Sequence, residues 1–187
     1  MPRPSATRLP VLPVLAVLGV LAGGCTDEPD GPGGADDRPG PGGERNPTIA
    51  ADDAYDTYGT LAEEVAEELA AAAASSVASD EQTWYGVGDD GVCEFSSAEH
   101  ELPVWFGLEE DHELTWDEVA DEVESVLPHG WTVGEAFDLP GGWTGLDAVE
   151  SATGAVLEVR AKGTSTVRVV APVTGECGED ASSSPAP

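Results

Sequence analysis

Near its C-terminus the chain reads Ala155-Val-Leu-Glu-Val-Arg-Ala-Lys-Gly-Thr-Ser-Thr-Val-Arg-Val-Val-Ala-Pro-Val173. Apolar and polar side chains alternate in two runs, 155–161 and 166–173, and this period of two is typical of strands that bury one face. Pairing Val159 with Val169 puts every apolar side chain on the same face and leaves residues 163–165 as a three-residue loop. The stretch therefore predicts an antiparallel hairpin with one buried side.

The polar side of this predicted hairpin carries three basic residues. The expected register sets Arg160 directly opposite Arg168, with Lys162 next along the same face. Like charges opposed across two strands are destabilising unless a negative group lies between them. The carboxylates available for neutralisation within the chain are Asp147, Glu150 and Glu158. The alternative hypothesis is that an anion or a carboxylate-bearing partner contacts Arg160, Lys162 and Arg168.

Two helices are predicted from different signals. After Asn46 the apolar residues recur every three or four positions, and glutamates occupy the opposite side. Further along, Thr115 and Glu118 form a capping box that begins a second helix, and Pro128 ends it. The apolar positions are Tyr58, Leu61, Val65, Leu69 and Ala72 in the first helix and Trp116, Val119, Val123 and Leu127 in the second.

Five more segments read as strands because β-branched and aromatic residues lie between turn residues. Their ranges are 84–87, 92–95, 101–108, 131–139 and 143–149. The elements therefore follow the order helix, strands, helix, strands. This order predicts an α+β two-layer sandwich, in which two helices pack on one face of an antiparallel sheet.

The N-terminus carries a short apolar segment that ends at a cysteine. Arg3 and Arg8 precede the apolar run 9–21, which closes on Ala-Gly-Gly-Cys25. The run is too short for a transmembrane helix, which needs about 20 residues. This arrangement resembles a bacterial lipoprotein signal. The resemblance implies that residues 1–24 are removed and that Cys25 carries a diacylglycerol thioether and often a further acyl chain. An ordinary secretory signal is the alternative, and it would leave Cys25 as a free thiol.

Composition divides the rest of the chain into three parts. Residues 25–47 include 11 Gly or Pro and six acidic residues, which predicts a disordered acidic tether. Residues 178–187 read as a disordered tail. Residues 48–177 remain as a single domain, long enough to bury one hydrophobic core.

Two cysteines are left once Cys25 is assigned to lipid. Cys93 and Cys177 lie in the predicted domain, and pairing them in a disulfide accounts for every cysteine of the chain. A metal site is a poorer explanation, because no Cys-x-x-Cys pair is present. His100 and His112 each precede a glutamate, but a straight strand between them would separate the two by roughly 25 Å. We therefore predict no metal site and no cofactor.

The layout of lipidation motif, acidic tether, helix, cysteine-bearing strand and terminal hairpin is similar to that of small actinobacterial envelope lipoproteins of the LppA-like kind. This resemblance implies no particular chemistry. The charge is more informative: the full chain has a net charge of −30, and without residues 1–24 it keeps five basic and 37 acidic residues, a charge of −32. A binder of nucleic acid needs a basic stripe, so this charge argues against that class.

Catalytic motifs are missing from the sequence. It contains no Gly-x-Ser-x-Gly, no His-Glu-x-x-His and no glycine-rich phosphate loop, so no catalytic residue is assigned. Trp143 follows the turn 140–142 and is a candidate exposed aromatic for recognition. We therefore expect a non-enzymatic lipoprotein, anchored to the outer face of the cell membrane through Cys25, that binds an envelope protein or a small ligand. Two other hypotheses are a carrier of a lipid or hydrophobic ligand and an envelope hydrolase.

Overall fold

The computed structural model describes residues 45–80, 82–88, 90–107, 113–175 and 177. The predicted signal, Cys25, most of the predicted tether, His112 and the predicted tail lie outside these ranges. Across the ranges that the structure describes, no helix is both long enough and apolar enough to cross a bilayer.

A ten-stranded sheet forms one layer of the domain. Its strands are β1 (Ile49–Ala50), β2 (Ala78–Ser79), β3 (Trp84–Val87), β4 (Cys93–Ser96), β5 (His100–Leu102), β6 (Trp131–Val133), β7 (Phe137–Leu139), β8 (Trp143–Glu150), β9 (Val156–Lys162) and β10 (Thr164–Thr174). The main order is β2-β5-β10-β9-β8-β6, with β3 outside β4 and β7 paired to β8. All pairs are antiparallel except β1 with β10. The long strand β10 is central, because it pairs with β9 on one side and with β4 and β5 on the other.

The helices form the second layer. The first comprises α1 (Ala51–Ala54), a π-helical turn (Tyr55–Gly59) and α2 (Thr60–Ala72), and the second is α3 (Trp116–Val126). The predicted capping box is present at α3, where the side chain of Thr115 accepts from the N–H of Glu118. Between the layers lies an apolar core that includes Leu61, Val65, Leu69, Val119, Val123, Leu146, Leu157, Val159, Val167 and Val169. The predicted α+β two-layer sandwich is confirmed.

A polar contact fixes the π-helical turn to the sheet. The hydroxyl of Tyr58, which is 3% exposed, donates to Glu150 Oε2 at 2.8 Å, and the hydroxyl of Thr153 donates to the same oxygen. Burial, followed by the neighbouring Glu150 carboxylate, raises the pKa of Tyr58 to about 12. The π-helical turn is therefore held over the turn between β8 and β9.

The disulfide between Cys93 and Cys177 is present, with a Cα–Cα distance of 5.7 Å. It joins β4 to the residues that follow β10 and closes a separation of 84 residues. Because β3 pairs with β4, the same bond also holds the β3–β4 hairpin against the end of the domain. Earlier in the chain, the N–H of Asn46 donates to the carbonyl of Thr153 at 2.9 Å, so contacts with the domain begin within the predicted tether.

The register expected for the β9–β10 hairpin is wrong by two residues. Val159 lies opposite Val167 instead of Val169, and Arg168 lies opposite Glu158 instead of Arg160. Only Gly163 remains between the two strands, and its φ of 78° is a conformation that glycine adopts readily. A shift of two leaves each side chain on its original face, so the buried surface is unchanged. The observed register avoids the expected opposition of two arginines.

Other strand boundaries also differ from expectation. Of the segment predicted as one strand over 101–108, the described residues contribute only β5 and a single bridge between Gly107 and Thr115. The segment predicted over 131–139 is divided into β6 and β7. The division occurs at Gly134, whose N–H donates to the carbonyl of Asp147 at 2.8 Å. A Cβ at this glycine would lie 3.1 Å from the same oxygen, so a side chain there would crowd the backbone of β8. The short strands β1 and β2 were not predicted.

Candidate binding surface

The side of the sheet that faces away from the helices carries a group of charged and aromatic residues. We call this side the open face. Its residues on neighbouring strands follow from the register and are Phe137 on β7, Trp143, Gly145 and Asp147 on β8, Glu158, Arg160 and Lys162 on β9, and Arg168 on β10. The three basic residues singled out in the sequence therefore share one face of two paired strands.

Four of these residues form a chain of ion pairs across three strands, which we call the ion ladder. Arg160 Nη1 lies 2.6 Å from Asp147 Oδ1, and Arg160 Nη2 lies 3.2 Å from Glu158 Oε1. The other oxygen of Glu158 accepts from Arg168 Nε at 2.7 Å. The Glu158 side chain is 9% exposed, that of Arg160 13% and that of Arg168 40%. The carboxylate of Glu158 thus links the two arginines in a largely desolvated position.

Arg160 lies flat on the sheet. Its Nη1 donates to the carbonyls of Leu146 at 3.2 Å and Val159 at 3.0 Å, and its guanidinium carbon lies 5.2 Å from the centre of the Phe137 ring. The space for this conformation comes from Gly145. A Cβ there would lie 3.0 Å from Arg160 Cδ and 3.0 Å from its Nη1. Arg160 is therefore held by carbonyls, carboxylates and an aromatic ring, and is part of the structure of the face.

Lys162 is placed differently. It is exposed at the end of β9, and its Nζ lies 5.8 Å from the centre of the Trp143 ring. Trp143 is 36% exposed. Among the residues that the structure describes, Lys162 is paired with no carboxylate, in contrast to Arg160 and Arg168. A cation beside an exposed indole ring can contact a ligand without first breaking an ion pair.

The remaining basic residue of the described ranges, Arg45, is also engaged. It contacts Asp90 at 2.9 Å and Glu94, which lies on the open face of β4. The pKa of Asp90 is lowered, mainly because its carboxylate accepts from the N–H of Val92 at 2.9 Å and also because of Arg45. This second cluster involves β4, which pairs with the opposite edge of β10 from β9.

The structure separates some residues that the sequence grouped together. Glu150, one of the three carboxylates considered as neutralising groups, faces the helices and binds Tyr58, whereas Asp147 and Glu158 contact the arginines. Trp105 lies within the segment predicted as a strand over 101–108, and its side chain is exposed. His100 is buried, and burial lowers its pKa despite the nearby carboxylates of the first helix.

Sequence reasoning missed two residues of the surface. Phe137, which stacks on Arg160, belongs to a strand that was not predicted to begin there. Gly145 was not singled out, although a glycine inside a strand often marks a close approach by another group. It is the residue that lets Arg160 lie against the sheet.

No family model matches the sequence, and no curated protein matches it. A solved structure of a DUF4853 family protein from Actinomyces odontolyticus is a distant neighbour, with 13% sequence identity and a TM-score of 0.43. The match covers 67% of this chain and 73% of the other. A TM-score of this size does not establish a family for the chain.

Proposed function

We propose that this chain is a lipoprotein of the outer face of the cell membrane, anchored through Cys25, and that its folded domain binds an envelope ligand without catalysis. The observation that carries the binding role is the pair of Lys162 and Trp143 on the open face. Such a pair combines an apolar ring with an available positive charge, which suits recognition of a polar ligand with a flat apolar side.

The proposed location is supported by the N-terminal resemblance to a lipoprotein signal and by the cysteines. A disulfide is stable in oxidising compartments and rare in the cytosol, so the bond between Cys93 and Cys177 favours an extracytoplasmic protein. A diacylglycerol group on Cys25, with a further acyl chain, would supply the two signals that stable membrane attachment requires. Because the chain is strongly anionic, attachment would depend on these chains and not on attraction to anionic lipids.

The absence of catalysis is proposed from how the polar groups of the open face are used. Acid–base chemistry needs carboxyl groups that are available to a substrate and have suitable pKa values. The carboxylate of Glu158 contacts two arginines, and Asp147 contacts Arg160. Both carboxylates are thus already engaged by arginines, which favours a binding module over the alternative of an envelope hydrolase.

The experiment is a native mass spectrum of the full-length chain, extracted from membranes in mild detergent, with and without reduction. We expect a diacyl addition at Cys25, a gain of two hydrogens on reduction and an additional bound mass. The bound mass should be lost from Trp143→Ala and Lys162→Ala. It should persist in Tyr55→Ala, which removes an exposed aromatic side chain from the helical layer.

Each part of the proposal can fail separately. An unmodified Cys25 would refute the anchor and leave the binding role in place. A bound mass that Tyr55→Ala removes as well as Trp143→Ala would show that the open face is not the binding surface. A chain that carries lipid but no additional mass under these conditions would contradict tight binding by the open face.

A further inference from the structure

Strand β3 forms one margin of the sheet, and its outer edge has backbone groups without a strand partner among the described residues. It pairs with β4, and among the described residues no strand pairs with its other edge. In an antiparallel pair, the backbone groups of successive residues point alternately toward the partner and away from it. The N–H of Gly88 donates to the carbonyl of Val92 at 2.8 Å, which continues the β3–β4 register. Gly86 therefore bonds to β4, while Tyr85 and Val87 direct their N–H and C=O groups outward.

The side chains of this edge are also exposed. Trp84 is 41% exposed and Val87 46% exposed, and they lie on opposite faces of the strand. The ring of Trp84 lies along the strand over Gly86, because a Cβ at that glycine would fall 2.3 Å from Trp84 Cζ2. An incoming strand would therefore find apolar surface on both faces of the same edge.

Proteins usually protect a free edge with charged residues, proline or very short strands. At the opposite margin, β6 has only three residues, and β7 has an exposed aspartate, Asp138, at its centre. On the same side of the sheet as β3, β2 is only two residues long. In contrast, β3 has four residues and contains neither charge nor proline. It is the described margin strand best suited to accept another strand.

Charge around β3 restricts what that strand can be. Three carboxylates lie around this hairpin: Asp80 precedes β3 and accepts from the N–H of Gln82, Asp90 lies in the turn that follows β3, and the carboxyl of Glu94 on β4 lies beside Gly88. Arg45 neutralises only part of this charge through its contacts with Asp90 and Glu94. A second copy of this chain, with a net charge of −30, would add to the repulsion. A segment that carries lysine or arginine would reduce it.

We propose that the outer edge of β3 is a docking site for an extended, basic peptide segment of another protein. The segment adds to the sheet as a strand and exchanges backbone hydrogen bonds with Tyr85 and Val87, while alternate side chains contact Trp84 or Val87. Basic side chains of the segment lie near Asp90 and Glu94. The disulfide through Cys93, which lies opposite Val87, holds the accepting hairpin in place.

The test uses the full chain in mild detergent and a blocked hexapeptide of alternating lysine and valine as the probe. Backbone amide signals are followed by NMR during titration. We expect the largest changes and slower hydrogen exchange at Tyr85 and Val87, and at least a tenfold weaker association for a peptide of alternating glutamate and valine. A lysine–valine peptide with N-methylated backbone should lose binding by a similar factor, since it lacks the necessary donors.

Two variants of the protein at Val87 test the same backbone contact. Val87→Pro removes an outward N–H that takes no part in the β3–β4 ladder, and it should weaken binding about tenfold. Val87→Thr keeps the N–H and should bind within about twofold of the original chain. An intact disulfide and an unchanged unfolding midpoint establish that each variant is folded; if Val87→Pro does not fold, the N-methylated peptide decides.

Three results would overturn the assignment. One is equal affinity for the lysine and glutamate peptides. Another is a response centred on Trp143 instead of Tyr85 and Val87, which would place the peptide on the open face. The third is slow exchange at Tyr85 and Val87 that depends on protein concentration in the absence of peptide, because it would identify a second copy of the chain as the occupant. These outcomes do not depend on the ligand proposed for Lys162 and Trp143.

Discussion

Replacing Glu158 with glutamine should test whether the ion ladder stabilises the fold. Glu158 contacts both Arg160 and Arg168, and its side chain is only 9% exposed. Removing one partner of a buried ion pair typically costs about 3–5 kcal/mol, because the other charge stays buried without compensation. Arg160 keeps its contact with Asp147, and Arg168 is 40% exposed and can be solvated. We therefore expect a smaller loss of about 2–3 kcal/mol.

The measurement is urea unfolding of the full chain at neutral pH, followed by tryptophan fluorescence and compared with Glu101→Gln. Glu101 is exposed on β5, so its replacement removes the same charge at a cost within about 0.5 kcal/mol. In thermal unfolding, Glu158→Gln should lower the Tm by roughly 6–15 °C. The double variant with Arg168→Gln should be less destabilised than the sum of the single variants. If Glu158→Gln matches Glu101→Gln, the ion ladder does not stabilise the fold and the reasoning is refuted.

Three further predictions concern other parts of the domain. Burial and Glu150 raise the pKa of Tyr58 to about 12, so the wild-type chain should lose about 2–3 kcal/mol of unfolding free energy as the pH rises from about 10 to about 12. In Tyr58→Phe, the free energy of unfolding in urea should depend less on pH across that window. An equally steep loss in the variant would contradict this. Replacing Cys93 and Cys177 with serine should cost about 4–5 kcal/mol, because the disulfide closes a separation of 84 residues. The reduced wild-type chain is the matched control, and a loss below about 1 kcal/mol would argue against this account. Thr115→Ala should destabilise the chain by about 1 kcal/mol in urea through loss of the α3 cap, and no change would show that the cap is dispensable.

The two layers of the fold could be predicted because periodicity reports which side of an element is buried. Apolar residues at helical spacing predict the first helix. The capping box of Thr115 and Glu118 predicts the residue at which the second helix starts. The π-helical turn was not predictable from periodicity, because it changes the phase of the helix only locally. Tyr58 lies in that turn and makes the contact with Glu150 that fixes it.

The register of the last hairpin shows what periodicity leaves open. Shifting a strand by two residues returns every side chain to the same face, so alternation alone allows both pairings. The charges of the paired residues distinguish the two pairings. The expected pairing opposes Arg160 and Arg168, whereas the observed pairing places Glu158 opposite Arg168. Two arginines opposed across the strands are unfavourable, so the register that separates them is the correct pairing.

The candidate site was predictable in part because alternation along a strand shows which side chains share a face. Arg160, Lys162 and Arg168 alternate with apolar residues along two strands, which places all three on one face of the sheet in either register. Their separate roles depend on neighbours that are distant in sequence. Gly145 makes room for Arg160, and Trp143 lies beside Lys162, through pairing of β8 with β9. That pairing could not be deduced from the hairpin alone.

The distribution of charge connects these observations to binding. The charged side chains exposed on the first helix are all carboxylates, including Glu63, Glu64, Glu67 and Glu68. Every lysine and arginine of the described residues instead contacts or lies on the open side of the sheet, at Arg45, Arg160, Lys162 and Arg168. A ligand that carries negative charge would be repelled less at the open face than at the helical layer. Because Arg160 and Arg168 are already compensated by Glu158, the attraction available there comes mainly from Lys162, and binding of such a ligand should weaken as salt screens that charge.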